Sequence, residues 1–123
     1  MKIKICPADQ VFSQYIRKRD KMCVRCKSPV KFNDKGLPVN HQASHYWSRG
    51  KENTRFDPDN ADTLCFACHN LWGHGDQRDE YKAFKIKQLG EEGFKKLDFK
   101  AHQIGKKDRK LALIIAKQLL NEA

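Results

Sequence analysis

Four of the five cysteines form two Cys-x-x-Cys motifs, Cys23 with Cys26 and Cys65 with Cys68, on either side of a long insert. Two cysteines in this spacing can both reach one ion, and two such motifs supply the four thiolates of a tetrahedral zinc site. We therefore predict a structural Zn²⁺ site. The alternatives are a redox pair or buried thiols without a metal. Such a closed site would stabilise the fold and leave the function to other residues, and Cys6, outside the motifs, is expected to be a small buried apolar residue.

Histidines lie close to these motifs along the chain. His41 and His45 occur in the segment HQASHYWSRG, His69 directly follows Cys68, and His74 comes shortly afterwards. A neutral imidazole near pH 7 serves as a general base or as a metal ligand. The alternatives are a hydrogen-bonded strand histidine at position 45 and a polar residue beside the zinc motif at position 69.

The chain is strongly basic, with a formal net charge of +10 over 123 residues, of which 33% are charged. Such an excess is typical of proteins that bind nucleic acid, and a solubilising surface is the alternative. The length predicts one domain with a modest core, of the kind that a metal often stabilises. No stretch has the roughly 20 apolar residues of a membrane span, and MKIKICPADQ lacks the apolar core of a secretory signal. We expect a cytoplasmic protein with reduced thiols and no membrane partner.

The elements that must position these residues follow from periodicity and turn signals. Residues 8–20 place apolar side chains at helical spacing and end in basic residues, which predicts a short amphipathic helix. Two β-prone pieces within residues 30–48 are separated by NDKG, which predicts a β-hairpin, and residues 50–60 read as a loop. The second cysteine motif should lie on a helical turn or short helix. Residues 76–123 read as helices, of which the first stops at Gly90 and the last has an apolar face wide enough to pack on the domain or on a second subunit.

The order His45, Asn60, His69 resembles the H-N-H (HNH) nuclease superfamily. The most specific part is the match N-x-x-x-L-C-x-x-C-H, and the resemblance covers roughly residues 20–75. It implies an α+β fold in which a small zinc-stabilised ββα unit holds a catalytic metal. Residues 1–123 would then be a single nuclease domain, in which the helices flank this core.

Further segments are similar to the phage NinG (Rap) recombination-nuclease family. They are HQASHYWSRG, TRFDPDN, CFACHN and LGEEGFKKLD, and they span about residues 20–98. The similarity implies a metal-dependent DNA endonuclease encoded by a phage or prophage in a bacterial host cell. Branched or nicked recombination intermediates would be among its substrates.

The superfamily pattern also implies a role for individual residues. His45 would be the general base that activates water, and Asn60 would hold the loop or the backbone carbonyl that orients it, although Asn60 could also be a helix N-cap. His69 would bind the catalytic divalent ion, with His41 or His74 as a further ligand. We expect the rings of His45 and His69 to face a common gap of about the size of a phosphate group.

The chain departs from the pattern at two positions. Many superfamily members have Asp or His directly before the base, where this chain has Ser44, and the phage family often has Asp three residues before the base, where this chain has Gln42. With imidazole ligands alone, the site should accept Mg²⁺, Mn²⁺, Ni²⁺ or Zn²⁺.

Two arginines flank the predicted site and suit phosphate binding, since a guanidinium presents a fork of donors. They are Arg49 and Arg55, and the alternatives are solvent-facing charge or an ion pair with Asp57 or Asp59. The competing functions are a zinc-stabilised nucleic-acid-binding module without catalysis and a protein-interaction adaptor. A homodimer through the last helix is a further hypothesis.

Overall fold

In the computed structural model, which describes residues 4–123, the chain forms five α-helices and a two-stranded sheet. The elements are α1 (Pro7–Asp20), β1 (Gln42–His45), α2 (Glu52–Arg55), a 3-10 turn (Pro58–Asn60), β2 (Ala61–Leu64), α3 (Phe66–Trp72), α4 (Arg78–Ala101) and α5 (Arg109–Glu122). The arrangement is α+β, as predicted. In the described part of the chain, no helix is both long enough and apolar enough to cross a bilayer.

The first helix is the predicted N-terminal one, and its ends have clear local causes. Pro7 occupies the first turn, where its missing N–H costs nothing, and the Asp9 carboxylate accepts a hydrogen bond from the backbone N of Cys6 at 2.9 Å. Lys21 ends the helix in the left-handed conformation, with φ 64°. Cys6, expected to be buried, is instead the half-buried residue that precedes the first turn.

The two strands and the third helix form one local unit. β1 and β2 are antiparallel, with Gln42 opposite Leu64 and His45 opposite Ala61. Cys65 follows β2 directly and is the N-cap residue of α3. The order strand, strand, helix therefore brings the end of β1 and the start of α3 into the same region.

The predicted hairpin within residues 30–48 is wrong in its strand pairing. The NDKG turn does form, because the Asn33 side chain accepts the backbone amides of Lys35 and Leu37, but it joins only an isolated bridge between Phe32 and Pro38. The partner of β1 is residues 61–64, for which the sequence predicts, from Asp62 onward, a helical turn or short helix. This strand contains Asp62 and Thr63 and so lacks apolar alternation, although all four of its residues are buried.

The core has two parts, one on each side of the sheet residues. Phe12 and Ile16 of α1 pack with Ala61 and with Ala116 of α5, so the last helix packs on the domain, one of the two predicted alternatives. On the other side, the ring of Trp72 stacks on that of Tyr81 with centroids 4.7 Å apart. α4 is interrupted at Gly90, whose φ of 76° breaks the helix where the sequence predicted a stop.

A buried polar network connects α4 to β2. Lys85 Nζ lies 3.0 Å from Asp62 Oδ2, and both side chains are fully buried. The same carboxylate accepts hydrogen bonds from Tyr81 Oη at 2.9 Å and from Gln88 Nε2 at 3.0 Å. Because every polar group of this network has a partner, the buried charges are compensated.

We expect Asp62→Asn to lower the free energy of unfolding by about 3–5 kcal/mol, because it leaves the Lys85 ammonium buried without a counter-charge. The loss should be much smaller in the double variant Asp62→Asn/Lys85→Met. Urea unfolding of the zinc-loaded protein measures both values. The exposed Lys82 on the same helix offers a control, since Lys82→Met should change the free energy by no more than about 0.5 kcal/mol. An Asp62→Asn loss no larger than this control would contradict the role given to the pair.

Candidate functional site

The sulfur atoms of the two cysteine motifs converge on one point, as predicted. The Sγ atoms of Cys23, Cys26, Cys65 and Cys68 lie within 4.8 Å of one another, and those of Cys26 and Cys65 are 3.7 Å apart. Four Zn–S bonds of about 2.3 Å at tetrahedral angles require sulfur–sulfur separations of about 3.8 Å. The four thiolates therefore fit Zn²⁺. Within residues 4–123, no other group of three or more His, Cys, Asp or Glu side chains is arranged to hold a metal ion in this way.

Hydrogen-bond donors surround these sulfur atoms. Arg25 Nη1 lies 3.5 Å from Cys68 Sγ, and Ser28 Oγ lies 3.2 Å from Cys26 Sγ. Burial raises the pKa of Cys68 to about 12 against the opposing effect of Arg25, whereas the hydrogen bonds with Ser28 lower the pKa of Cys26 to about 6. Zinc binds the thiolate form, so loading the site releases protons.

A cleft of about 720 Å³ contains all four histidines that the sequence singled out. His41, His45, His69 and His74 line it together with Arg49. The lining comes from α1 and Ile5 before it, from His41 and β1, from the loop after β1, and from α3 and the two residues that follow it. His45 and His69 therefore line one common cleft.

His45, the last residue of β1, uses one ring nitrogen in a hydrogen bond, and its other ring nitrogen has no partner in residues 4–123. Its Nε2 lies 2.9 Å from the backbone O of Arg55, and because a carbonyl only accepts, Nε2 carries the proton and Nδ1 keeps its lone pair. Burial is the largest effect on the pKa of His45 and lowers it to about 4; the hydrogen bond to the carbonyl opposes this shift, and the positive charge of Arg49 adds to it. The ring is therefore neutral at pH 7.

Asn60 anchors the loop that carries this carbonyl. Its fully buried side chain accepts a hydrogen bond from the Trp47 amide at 2.9 Å and donates to the backbone O of Trp47 at 2.9 Å and of Thr54 at 3.0 Å. Thr54 precedes Arg55, so the amide group fixes the backbone beside the acceptor of His45. This geometry agrees with the loop-holding role expected of Asn60. The N-cap alternative is wrong, because a strand and not a helix follows Asn60.

His69 and His74 form a pair, with ring centroids 4.6 Å apart. Burial lowers the pKa of His69, and repulsion from His74 lowers it further, so that the ring is in the neutral form that a metal ion binds. Gly73 leaves the space for this ring, since a Cβ at that position would come within 2.7 Å of His69 Cδ2. Two imidazoles that line an open cleft suit a borderline divalent cation.

His41 and the residues at positions 42 and 44 differ in how well they could bind a metal ion in the cleft. His41 has a left-handed backbone, with φ 64°, and its Nε2 lies 3.1 Å from both Oγ and the backbone O of Ser28, which leaves only Nδ1 for a metal. Ser44 is fully buried and does not line the cleft, whereas Gln42 does. His74 is therefore better placed than His41 to act with His69.

The two predicted phosphate-binding arginines have different environments. Arg49 lines the cleft. Arg55 is buried, with 4% of its surface exposed, and forms a bidentate ion pair with Asp9, Nε to Oδ1 at 3.0 Å and Nη2 to Oδ2 at 2.5 Å. Burial alone would raise the pKa of Asp9, but hydrogen bonds from Arg55 and from the Cys6 amide lower it to about 2. The phosphate contact predicted for Arg55 is thus wrong, because its guanidinium is already bound by a carboxylate.

The sequence did not predict that α1 would line the cleft. Its polar residues Gln10, Ser13, Gln14 and Arg17 do so beside the histidines. Their spacing indicates that they share one helix face, away from the apolar residues that form the core. No sequence pattern indicates that this face lies next to β1.

Comparisons with known proteins point to one relative. The chain is 38% identical over 73 residues to a probable HNH endonuclease of Lactococcus phage SK1, and the aligned part covers 58% of this chain and 69% of the relative. No protein-family model matches the chain. No solved structure matches it either.

We expect Cys65→Ser to abolish zinc binding and most of the dispersion of the amide NMR spectrum, because zinc binding contributes about 10–16 kcal/mol to comparable small domains. Native mass spectrometry gives the zinc content. Cys6→Ser is the matched control and should retain one zinc per chain, since Cys6 lies outside the cluster. One equivalent of zinc in a folded Cys65→Ser protein would contradict the four-thiolate site.

We expect the His45 ring to stay neutral, with its proton on Nε2, between pH 8 and pH 5.5. A lowered pKa means that the folded protein resists protonation of His45 until the pH approaches about 4. Long-range ¹H–¹⁵N NMR spectra, assigned by comparison with His45→Ala, report both the tautomer and the titration. A midpoint near the ordinary histidine value of about 6.5 would contradict the buried, carbonyl-bound ring.

Proposed function

The chain belongs to the HNH endonuclease family, and we propose that it is a metal-dependent DNA endonuclease that hydrolyses phosphodiester bonds in the histidine cleft. The observation that carries this proposal is the state of His45. A neutral imidazole with an available Nδ1 lies in the same cleft as a pair of imidazoles, His69 and His74, and a guanidinium. Phosphodiester hydrolysis can use these groups as a general base, as ligands of a divalent ion and as a phosphate contact.

His45 is the general base of the proposed reaction. Its free Nδ1 accepts a proton from the attacking water, while Nε2 keeps its hydrogen bond to the Arg55 carbonyl. The negative charge of Asp9 favours the imidazolium that results. A phosphate group in the cleft acts in the same direction, because a nearby anion raises the pKa of an imidazole.

His69 and His74 are the proposed ligands of the catalytic divalent ion. That ion, when bound, compensates negative charge on the phosphate and on the leaving 3′ oxygen. The chain adds two imidazole nitrogen donors, and the position before His45, where many superfamily members have Asp or His, is occupied by the buried Ser44. We therefore expect Mn²⁺ or Ni²⁺ to support activity at lower concentrations than Mg²⁺, since imidazole ligands favour transition metals over Mg²⁺.

Asn60 and Arg49 have supporting roles. The three hydrogen bonds of Asn60 hold residues 47 and 54, so the loop keeps the acceptor of His45 in place. Arg49 contacts a phosphate oxygen of the bound strand, and its positive charge also lowers the pKa of the free base. Asn60 is a positioning residue and does not touch the substrate.

The substrates that we propose are the branched or nicked DNA intermediates of phage or prophage recombination. The similarity to the NinG family segments supports this choice, and the phage origin of the relative is compatible with it. The chain's positive charge supports binding to the DNA backbone in general. A zinc-stabilised nucleic-acid-binding module without catalysis is the second candidate, favoured by the lack of a carboxylate beside His45.

We expect the zinc-loaded protein to nick supercoiled plasmid DNA in Mn²⁺, Ni²⁺ or Mg²⁺, and His45→Ala to reduce kcat by about 100- to 10,000-fold, the usual contribution of a general base. Gel electrophoresis of time courses measures the rates. Four-way junctions, nicked duplexes and plain duplexes of equal length, compared by kcat/KM, test the substrate preference.

His102→Ala is the matched control, because His102 is exposed and does not line the cleft, and it should nick at the wild-type rate. DNA binding without nicking in any of these metals would favour the binding module instead. Equal nicking rates for His45→Ala and wild type would contradict the assignment of His45 as the general base.

A further inference from the structure

The polar face of α1 belongs to the cleft but has no part in the chemistry proposed above. Gln10, Ser13, Gln14 and Arg17 follow the i, i+3, i+4, i+7 spacing, so their side chains share one face of the helix. All four line the histidine cleft. None of them belongs to the strand–strand–helix unit that carries His45 and His69.

This face is held firmly in place. Phe12 and Ile16, on the other side of α1, are 1% and 0% exposed in the core. The ring of Phe12 lies 5.8 Å from that of His45, and Asp9 is joined to Arg55 by the buried ion pair. Apolar packing and the bidentate ion pair therefore hold the helix, and with it the polar face, beside His45.

The polar groups on this face are available to a ligand. Among the described residues, the side chains of Gln10, Ser13 and Gln14 have no hydrogen-bond partner. Arg17 uses Nε and Nη1 on the backbone O atoms of Ser13 and Asn40, at 3.2 Å each, which leaves Nη2 without a partner in residues 4–123.

The charge of the cleft also favours an anion. The carboxylate of Asp9 lies in its lining but is paired with Arg55. Arg17 and Arg49 line the same cleft and take part in no ion pair with another described residue. The lining therefore has excess positive charge contributed from two separate elements, α1 and the loop after β1.

We propose that the polar face of α1 is a second DNA-contact surface that holds the cleaved strand beside the scissile phosphate, with Arg17 and Gln14 bound to phosphate and sugar oxygens. The inference rests on the proposed endonuclease function. Neutral amides and guanidinium groups are usual donors to the DNA backbone, and such contacts fix the register of the strand without reading its sequence. Arg17 adds a phosphate contact to the one assigned to Arg49, so the strand is held on both α1 and the loop.

Binding is tested in a His45→Ala background, where the DNA stays intact, by the fluorescence anisotropy of a labelled duplex with zinc-loaded protein and no added divalent ion. We expect Gln14→Glu, which keeps the side-chain shape and adds a negative charge, to raise Kd about fivefold, the size of one close charge repulsion in water. Arg17→Gln should reduce the slope of log Kd against log salt by about 0.9, the loss of one phosphate contact.

Matched controls lie outside the cleft. Gln103→Glu makes the same isosteric change at an exposed site, and Lys18→Gln removes a charge from the neighbouring residue of α1. Both should change Kd by less than about twofold, since neither residue lines the cleft. Thermal unfolding of each variant shows whether any effect on Kd comes from loss of the fold. We expect Gln14→Glu to leave the unfolding temperature unchanged.

In the otherwise wild-type background, we expect Gln14→Glu to raise KM and to leave kcat within about twofold, because it changes binding of the strand and not the transfer of the proton. Affinities of Gln14→Glu and Arg17→Gln equal to those of their controls, in a protein that binds and nicks DNA, would overturn this inference alone. Absence of DNA binding in the parent protein would overturn it together with the proposed function.

Discussion

The meeting of four sulfur atoms from two distant segments determines where most of the proposed functional residues lie. Cys65 and Cys68 belong to the start of α3, so one ion bound by all four thiolates would fix this helix against the motif that follows α1. His69 comes directly after Cys68 and is fixed with it. On the other side of the cluster, Ser28 contacts both Cys26 and His41, so that the first motif is joined to the beginning of β1. A small basic chain has little apolar surface to bury, and a metal bound by these thiolates would add stability that its core lacks.

Much of this arrangement could be predicted from the sequence where local chemistry is specific. The spacing of the cysteines is imposed by the coordination geometry of zinc, and the clustering of the four residues is confirmed. α1 and the break at Gly90 were also predicted, because apolar periodicity and glycine conformation act over a few residues. The presence of His45 and His69 on one cleft is a longer-range feature, and the family pattern supplied it.

The failures concern polar residues that become buried. β2 was missed because Asp62 and Thr63 give it a surface-like composition, yet the strand is buried through the partners that Lys85 and Tyr81 provide from α4. The phosphate contact predicted for Arg55 is wrong because its partner, Asp9, is distant in the sequence and no local pattern indicates the ion pair. Burial of a charge depends on a partner from elsewhere in the chain, and neither propensity nor periodicity contains that information.

The ion pair between Asp9 and Arg55 joins the first helix to the peptide that receives the hydrogen bond of His45. Neither side chain needs to touch a nucleotide, but the loss of either would leave an uncompensated charge in the interior and release the loop next to the proposed base. We therefore expect the residues at these two positions to change together in related sequences. Sequences that replace the acid should replace the guanidinium as well, and drift at either position alone should be rare.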